Sequence, residues 1–472
     1  MTFPAGFQAK YLALLGPEEG QAFLDSFKLE AESGFRVNPL KASQSALPES
    51  AHPMPGTPWG YYGKVAGSST AHVTGLVYSQ EPAAQMVGQA AAPQPGLKVL
   101  DLAAAPGGKS THLLSYLDNQ GLLVANEIHP KRSKILAENL ERFGARNVVA
   151  TNESPERLAQ VFPAYFDLIV LDAPCSGEGM FRKQAEAMDY WTPEYPSQCA
   201  ALQREILEQA LLMLKPGGTL VYSTCTWAPE ENEDIVAWLL EHYPLTLLEV
   251  PKLNGMVPGL IYSETARMYP QHFRGEGQFV AKLRYEGQET ESKSRKFKPL
   301  KAKVTADQLK LWQDFAASHL TVTLPGVLQT FGDHLYLLTE GLPDLGKLRI
   351  AHKGLHLGEF KKKRFEPSFA LGLALRPDET VSQVALSEEQ VTRYLAGETV
   401  DLAEDKPNGW YQVLAGGNGL GFAKVTGRVL KNYYPKGLRL RRSDIIRAGL
   451  EGGVLQQRPH DRLLLLILRR DW

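Results

Sequence analysis

Residues 98–111, KVLDLAAAPGGKST, leave the fold little freedom. Val99, Leu100, Asp101 and Leu102 read as a buried strand, Ala103 to Gly108 as a turn of small residues, and Lys109, Ser110 and Thr111 as the start of a helix. Alanine and glycine let the backbone approach a ligand closely, and the amides of the helix N-terminus point at it. Three ligand-binding turns compete for such a stretch. A P-loop requires G-x-x-x-x-G-K-[ST]; Gly108, Lys109 and Ser110 fit, but its first glycine position is Ala103. A dinucleotide fold requires G-x-G-x-x-G, which is absent. An S-adenosylmethionine (SAM) loop asks only for small residues. The stretch alone leaves the choice open.

Around it, from about residue 76 to 285, apolar strand candidates (99–102, 122–125, 148–151, 168–171 and 220–222) alternate with helical segments. One such helix is predicted over residues 130–143, with Ile135, Leu136, Asn139 and Leu140 on one face. That alternation predicts a parallel sheet covered by helices on both faces, with ligands beyond the carboxyl ends of the strands where the strand order switches. Each strand candidate ends in something polar: Asp101, Glu127, Asn152, Asp172, and Ser223-Thr224-Cys225. They are expected to converge on one crevice. Glu127, 18 residues after Lys109, can accept the ribose hydroxyls of an adenosine cofactor, SAM or NAD alike; a P-loop enzyme has no use for it.

At 472 residues the chain has room for roughly three domains of ~100–200 residues. Its formal net charge of -1 supplies no overall basic field, so any nucleic-acid contact must use local patches. The first residues lack the basic region and apolar run of a signal peptide, and no uncharged apolar run reaches the ~20 residues of a membrane span. The only cysteines, Cys175, Cys199 and Cys225, are odd in number and widely spaced. That argues against a disulfide framework or a structural metal and for a reducing cytoplasm.

Outside the alternating region, Phe7, Tyr11, Leu14, Leu15, Phe23 and Phe27 follow a helical pattern, and RVNPLK (Arg36 to Lys41) ends regular structure at Pro39. Trp59, Tyr61 and Tyr62 fit core packing, with base stacking as the alternative. Residues 286–302 read as a linker or exposed loop and 306–320 as a helix. Lys361-Lys362-Lys363-Arg364 is either a solvated turn or a phosphate contact. Residues 384–440 carry short strands and Gly-rich turns, as in a small β-barrel. They lead into Lys431, Lys436, Arg439, Arg441 and Arg442 around Tyr433 and Tyr434, a mixture suited to RNA backbone and base stacking.

The chemistry is concentrated in Asp172-Ala173-Pro174-Cys175-Ser176-Gly177, at the end of FDLIVLD, and in Tyr222-Ser223-Thr224-Cys225-Thr226. Free cysteines are usually small buried hydrophobes. Cys199, on a helix beside Ala200, Ala201 and Leu202, fits that description, whereas Cys175 and Cys225 fall at strand ends over one pocket. A thiolate adding to carbon 6 of a pyrimidine makes carbon 5 nucleophilic enough to take a methyl group. A carboxyl at ring nitrogen 3 stabilises the adduct, and removal of the carbon 5 proton lets the thiol leave.

These residues resemble the Sun/RsmF/YebU-type RNA 5-methylcytosine methyltransferases: AAAPGGK, the acid at Glu127, DAPCSGEGMFRK, STCT and RMYPQHFRGEGQF match in order. The resemblance implies an α/β fold, a Rossmann-like SAM-dependent methyltransferase domain with an N-terminal RNA-binding segment and a C-terminal PUA-like β-barrel module. It implies bounds of 1–75 for the RNA-binding segment, 76–285 for the methyltransferase domain, 286–383 for a linker and intermediate α/β subdomain, and 384–442 for the PUA-like module, with 443–472 unassigned. By the same resemblance Cys225 is the nucleophile, Cys175 assists release, and Asp172 contacts cytosine and cofactor. Ala103, Ala104, Ala105, Pro106, Gly107, Gly108, Lys109 and Glu127 hold SAM, with Asn152 and Ser154 where the family often has a further acid. Gln271 departs from the family's usual His. Arg36, Lys183, Lys361, Lys362, Lys363, Lys431, Lys436 and Arg439 are the expected RNA contacts. The implied substrate is small-subunit rRNA near the decoding site, handled by a cytoplasmic monomer with no membrane and no metal. A P-loop NTPase and a non-catalytic RNA-binding assembly factor are the rivals; neither uses Cys175 and Cys225.

Overall fold

The computed structural model describes residues 1–287 and 297–450. Most of the expected linker, and the expected tail beyond residue 450, lie outside the described residues. The centre of the molecule is one sheet. We label its strands β1 (Lys98–Asp101), β2 (Leu122–Asn126), β3 (Val148–Thr151), β4 (Phe166–Asp172), β5 (Leu214–Thr224) and β6 (Gln278–Tyr285). They lie in the order β6-β5-β4-β1-β2-β3. β1 to β5 run parallel, and β6 pairs antiparallel with β5. Alternate side chains explain the two-sided burial. Leu100, Val124, Val149, Ile169 and Leu220 face one helical layer, while Val99, Leu123, Val148, Val170 and Val221 face the other. The helix over Pro130–Phe143 is amphipathic as its spacing predicts, burying Ser133, Leu136, Leu140 and Phe143. β5 begins earlier than the apolar run 220–222, because helix Tyr195–Met213 passes straight into it at Leu214.

Two pieces of distant chain complete the sheet's surroundings. Strand Ala266–Met268 pairs with β6, and strand Ile350–His352 pairs antiparallel with the outer side of β3. The second comes from the C-terminal half. That half also forms a four-stranded sheet (Val327–Phe331, His334–Leu338, Leu355–Lys361, Arg364–Pro367) and a three-stranded one (Gln383–Leu386, Val400–Ala415, Asn418–Lys431). The C-terminal end of helix Phe369–Ala374 docks on the centre through cations: Lys41 Nζ donates to the Leu373 carbonyl (2.7 Å) and Arg146 Nη2 to that of Ala374 (2.9 Å). Carbonyls at a helix C-terminus favour positive partners.

At the N-terminus, helices Phe7–Leu15 and Pro17–Ser26 bury Phe7, Tyr11, Phe23 and Phe27 against Phe181, Trp191, Trp227 and Tyr269. These partners flank the two cysteine motifs, so the N-terminal helices brace the side of the sheet that carries both cysteines. Tyr61 stacks on Phe35 with ring centroids 5.3 Å apart, and Trp59 packs edge-on against Tyr116 at 4.7 Å. Those aromatics take the packing role.

Arg36 is not placed for RNA, contrary to the expectation from the sequence. It is 1% exposed. Its Nε donates to Gln80 Oε1 (2.6 Å), and its Nη2 to the Gly108 carbonyl and to Thr111 Oγ1 (both 2.7 Å). A guanidinium with three short neutral acceptors in the interior is a strut. Arg36→Met is expected to lower stability by about 2–3 kcal/mol, since it strands buried acceptors. The salt dependence of RNA binding is expected to stay as in the parent chain, whereas loss of a phosphate contact reduces that slope by about 1. Thermal melting and a salt titration check the two halves.

Candidate functional site

Strand order reverses between β1 and β4, and the segments leaving these two strands face each other across that switch point. The small-residue turn after β1 is fixed by its own backbone. The Ala104 N–H donates to the Asn126 carbonyl (2.8 Å), and Arg132 Nη2 and Asn139 Nδ2 donate to the Ala105 and Pro106 carbonyls (2.9 and 2.8 Å). Gly107 sits at φ +126°, in the region that favours glycine, and a Cβ on Gly108 would meet Gln80 Nε2 at 2.9 Å. Behind that turn stands Arg36. Ala103 and Lys109 are half-buried, Ala104, Ala105, Gly107 and Gly108 buried, and Pro106 exposed.

Glu127, 1% exposed, follows β2 and accepts from the amides of Ala105 (3.3 Å) and His129 (3.2 Å). Burial raises its carboxyl above the ordinary value, against the pull of Arg132. Asn152 and Ser154 are engaged nearby. Asn152 Nδ2 donates to the carbonyls of Glu127 (2.8 Å) and Ile128 (2.9 Å), and Ser154 caps helix Pro155–Val161. Asp101 is fully buried; Ser110 donates to its Oδ2 (2.7 Å) while Oδ1 has no hydrogen-bond partner. Burial lifts the Asp101 carboxyl to about 7.

At the end of β4, Asp172 gathers three partners: Lys109 Nζ (2.6 Å), Ser223 Oγ (2.7 Å) and Gln278 Nε2 (3.2 Å). Burial pulls the Lys109 ammonium down, but Asp172, Cys225 and Asp101 around it leave it above its ordinary value. Past Ala173 and Pro174 the chain reaches Cys175, whose sulfur lies 3.3 Å from that of Cys225. The hydrogen bond to Cys225, together with burial, holds the Cys175 thiol well above its usual range. Beside it, the Cys225 sulfur shares its surroundings with Lys109. Cys199 lies on helix Tyr195–Met213 beside Glu231, and burial raises its thiol.

Sequence reasoning missed the partners that fix these groups. Ser223 and Gln278 orient Asp172. Glu178, 0% exposed, accepts from Trp191 Nε1 (2.9 Å), the Trp227 amide (3.2 Å) and the Tyr11 hydroxyl. Arg267 and Glu233 form an ion pair with both side chains at 0% exposure. Gln271 donates to Glu19 Oε1 (3.0 Å), a contact to the N-terminal helices. The motifs DAPCSGEG and RMYPQ held Glu178, Arg267 and Gln271; nothing local announced what each would meet.

The expected RNA contacts are spread over several pieces. Lys183, Lys362, Lys363, Lys431 and Lys436 are exposed, with Lys362 and Lys363 at the turn between strands Leu355–Lys361 and Arg364–Pro367. Lys361 is paired with Glu359 (2.6 Å), and Arg439 donates to the Tyr434 carbonyl (3.3 Å). Tyr434 is 5% exposed and belongs to the core of the last sheet, leaving Tyr433, at 43%, as the aromatic there that faces solvent.

The donor set fits SAM. Glu127 offers a buried carboxylate to ribose hydroxyls, Asp101 keeps one unpartnered oxygen, and carboxylates suit a ligand carrying ammonium and sulfonium charges.

Known proteins agree in detail. Residues 89–284 match the family described as 16S rRNA methyltransferase RsmB/F, and residues 3–82 the N-terminal domain of 16S rRNA methyltransferase RsmF. Residues 314–375 match the RsmF first C-terminal domain and residues 381–440 the RsmF PUA domain. The ribosomal RNA small subunit methyltransferase F of Shewanella loihica is 34% identical over 438 residues, 85% of this chain and 88% of that one. The protein of the same name from Escherichia fergusonii is 34% identical over 391 residues, covering 79% and 80%. A solved methyltransferase homolog protein from Pyrococcus horikoshii, 30% identical, covers 60% of this chain and 99% of its own with a TM-score of 0.51. NSun6 from the same organism, solved with SFG, shares the fold at 23% identity, a TM-score of 0.56 and coverage of 61% of this chain and 99% of its own.

Proposed function

The chain belongs to the RsmB/F family of 16S rRNA methyltransferases, whose members methylate rRNA with SAM, and on that premise we propose that it methylates carbon 5 of a cytosine through a covalent Cys225–cytosine adduct. We assign the target to small-subunit rRNA near the decoding site. One observation carries the reading: two sulfurs 3.3 Å apart at the ends of β4 and β5, beside the Asp172–Lys109 pair.

The residues from Ala103 to Lys109, with Glu127 and Asp172, would hold SAM. Bound there, it supplies an electrophilic methyl group. The chain's own groups do the rest. The Cys225 sulfur adds to carbon 6 of the cytosine, and the new S–C bond makes carbon 5 nucleophilic. Lys109 Nζ, near the Cys225 sulfur, also holds Asp172 in place. Asp172, fixed by Ser223 and Gln278, would share a proton with ring nitrogen 3, and that proton stabilises the negative charge that develops on the ring as the S–C bond forms. Carbon 5 takes the methyl group, and its proton passes to a solvent water acting as base. The C–H electron pair re-forms the double bond between carbons 5 and 6 as the S–C bond breaks and returns the Cys225 sulfur. Cys175, kept as a thiol, hydrogen-bonds to the departing sulfur. Every side chain in this sequence of steps comes from one chain, so a monomer suffices. The exposed lysines at 183, 362, 363, 431 and 436 are proposed to meet RNA phosphates.

Bisulfite mapping of small-subunit rRNA incubated with the protein tests the reading. A cytosine is expected to become resistant to conversion only when SAM is present. A methyl group found on ribose or on an exocyclic nitrogen instead overturns it.

A further inference from the structure

Behind the two thiols lies a stretch that takes no part in the steps above. Glu231 and Asn232 follow the Cys225 segment, just ahead of helix Glu233–His242, and both are 0% exposed. Glu231 grips the residue after Cys175: its Oε1 accepts from the Ser176 amide (2.8 Å) and its Oε2 from the Ser176 hydroxyl (2.5 Å). Gln203 grips the residue before, donating from Nε2 to the Pro174 carbonyl and to Glu231 Oε1 (both 3.0 Å). Asn232 does the same for the other thiol. Its Oδ1 accepts from the Thr224 hydroxyl (2.6 Å), and its Nδ2 donates to the Thr226 carbonyl (3.0 Å). The Ser176 and Thr226 hydroxyls, 2.8 Å apart, join the two grips.

Each cysteine is thus held from both flanking residues by buried polar side chains. Packing alone does not call for this arrangement. The Glu231 partners Ser176 and Gln203 are neutral, and burial pushes its carboxyl up to about 8. An apolar side chain would fill the same space at lower cost. What the polar groups supply is a fixed separation between two sulfurs that must act on one ring, where a displacement of about 1 Å can cost 10²-fold in rate.

We propose that Glu231 and Asn232 are separate positioning residues, Asn232 holding Cys225 for attack and Glu231 holding Cys175 for release. The proposal rests on the roles assigned to the two cysteines above. It predicts that the two residues fail differently. With RNA and SAM, Glu231→Ala is expected to accumulate a covalent RNA–protein adduct on denaturing gels, roughly tenfold above the parent chain, with turnover slowed to match. Glu231→Gln keeps an acceptor for the Ser176 amide and offers a donor to its hydroxyl, so it is expected to restore turnover. Asn232→Ala is expected to lower adduct and turnover together. SAM affinity, measured by calorimetry, stays unchanged in all three. Where Glu231→Ala fails to bind SAM and so to fold, Ser176→Ala removes one hydroxyl and carries the same expectation in milder form. Cys175→Ala serves as the control, expected to trap adduct; a control without adduct overturns the cysteine roles themselves. With that control intact, the proposal is overturned if Glu231→Ala and Ser176→Ala slow turnover without accumulating adduct, or if Asn232→Ala accumulates it.

Discussion

Cys225→Ala is expected to abolish methyl transfer, by on the order of 10⁴-fold or more, the scale on which loss of an attacking nucleophile acts. It is also expected to form no covalent RNA adduct. Cys175→Ala loses turnover too, but it keeps the attacking sulfur and accumulates the adduct that cannot be released. The asymmetry follows from the electrostatics. Cys175 is the buried thiol of the pair, its sulfur 3.3 Å from that of Cys225, and Lys109 lies where the Cys225 sulfur influences its protonation. Cys199→Ala, on the surrounding helix, is expected to retain methyl transfer, since its sulfur neighbours Glu231 rather than belonging to the pair that meets the ring. Single-turnover transfer of labelled methyl groups and denaturing gels measure all three. A Cys225→Ala protein with full activity would remove the attacking group from the scheme.

The largest effect on stability is expected at Arg267→Met. Arg267 and Glu233 are both at 0% exposure, joined by bonds of 2.7 and 2.5 Å, and Arg267 Nη1 also donates to the Trp227 carbonyl (2.7 Å). Removing one partner of a buried pair leaves the other charge uncompensated, at a cost of about 3–5 kcal/mol. For a unit of this size the melting temperature should fall by on the order of 10 °C. Arg267→Met combined with Glu233→Gln is expected to cost less than the sum of the single changes, because the second removes the stranded charge. Calorimetric melting of the four proteins decides it. The pair spans the strand Ala266–Met268 and the helix that follows the Cys225 segment, so the loss should also depress activity.

Much of the central sheet was legible because strands buried on both faces must be continuous apolar runs. Val148–Thr151 is a case in which the run and the strand coincide. The helix Pro130–Phe143 was legible for the complementary reason, an apolar stripe at helical spacing opened by proline and ended before Gly144. What stayed hidden was the fate of charged side chains. Arg36 reads as a surface cation, yet its acceptors are Gln80, Gly108 and Thr111, and only the fold brings them to it. Glu178, Glu231 and Glu233 carry no local sign of their burial; each is fully buried where a distant donor meets it. The two aromatics Tyr433 and Tyr434 look alike in the sequence, yet the fold sends one outward and the other into the core. Local pattern carries the backbone; pairing over long separations decides the charges.

The antiparallel strand Ile350–His352 laid along β3 also covers part of what would otherwise be an open sheet edge. Without it, Ala150 and Thr151 would present unpaired amides and carbonyls at the end of β3, a template for intermolecular association. A polypeptide ending before residue 350 would thus lack more than its last three-stranded sheet. It would carry an adhesive border that the intact protein has sealed from within.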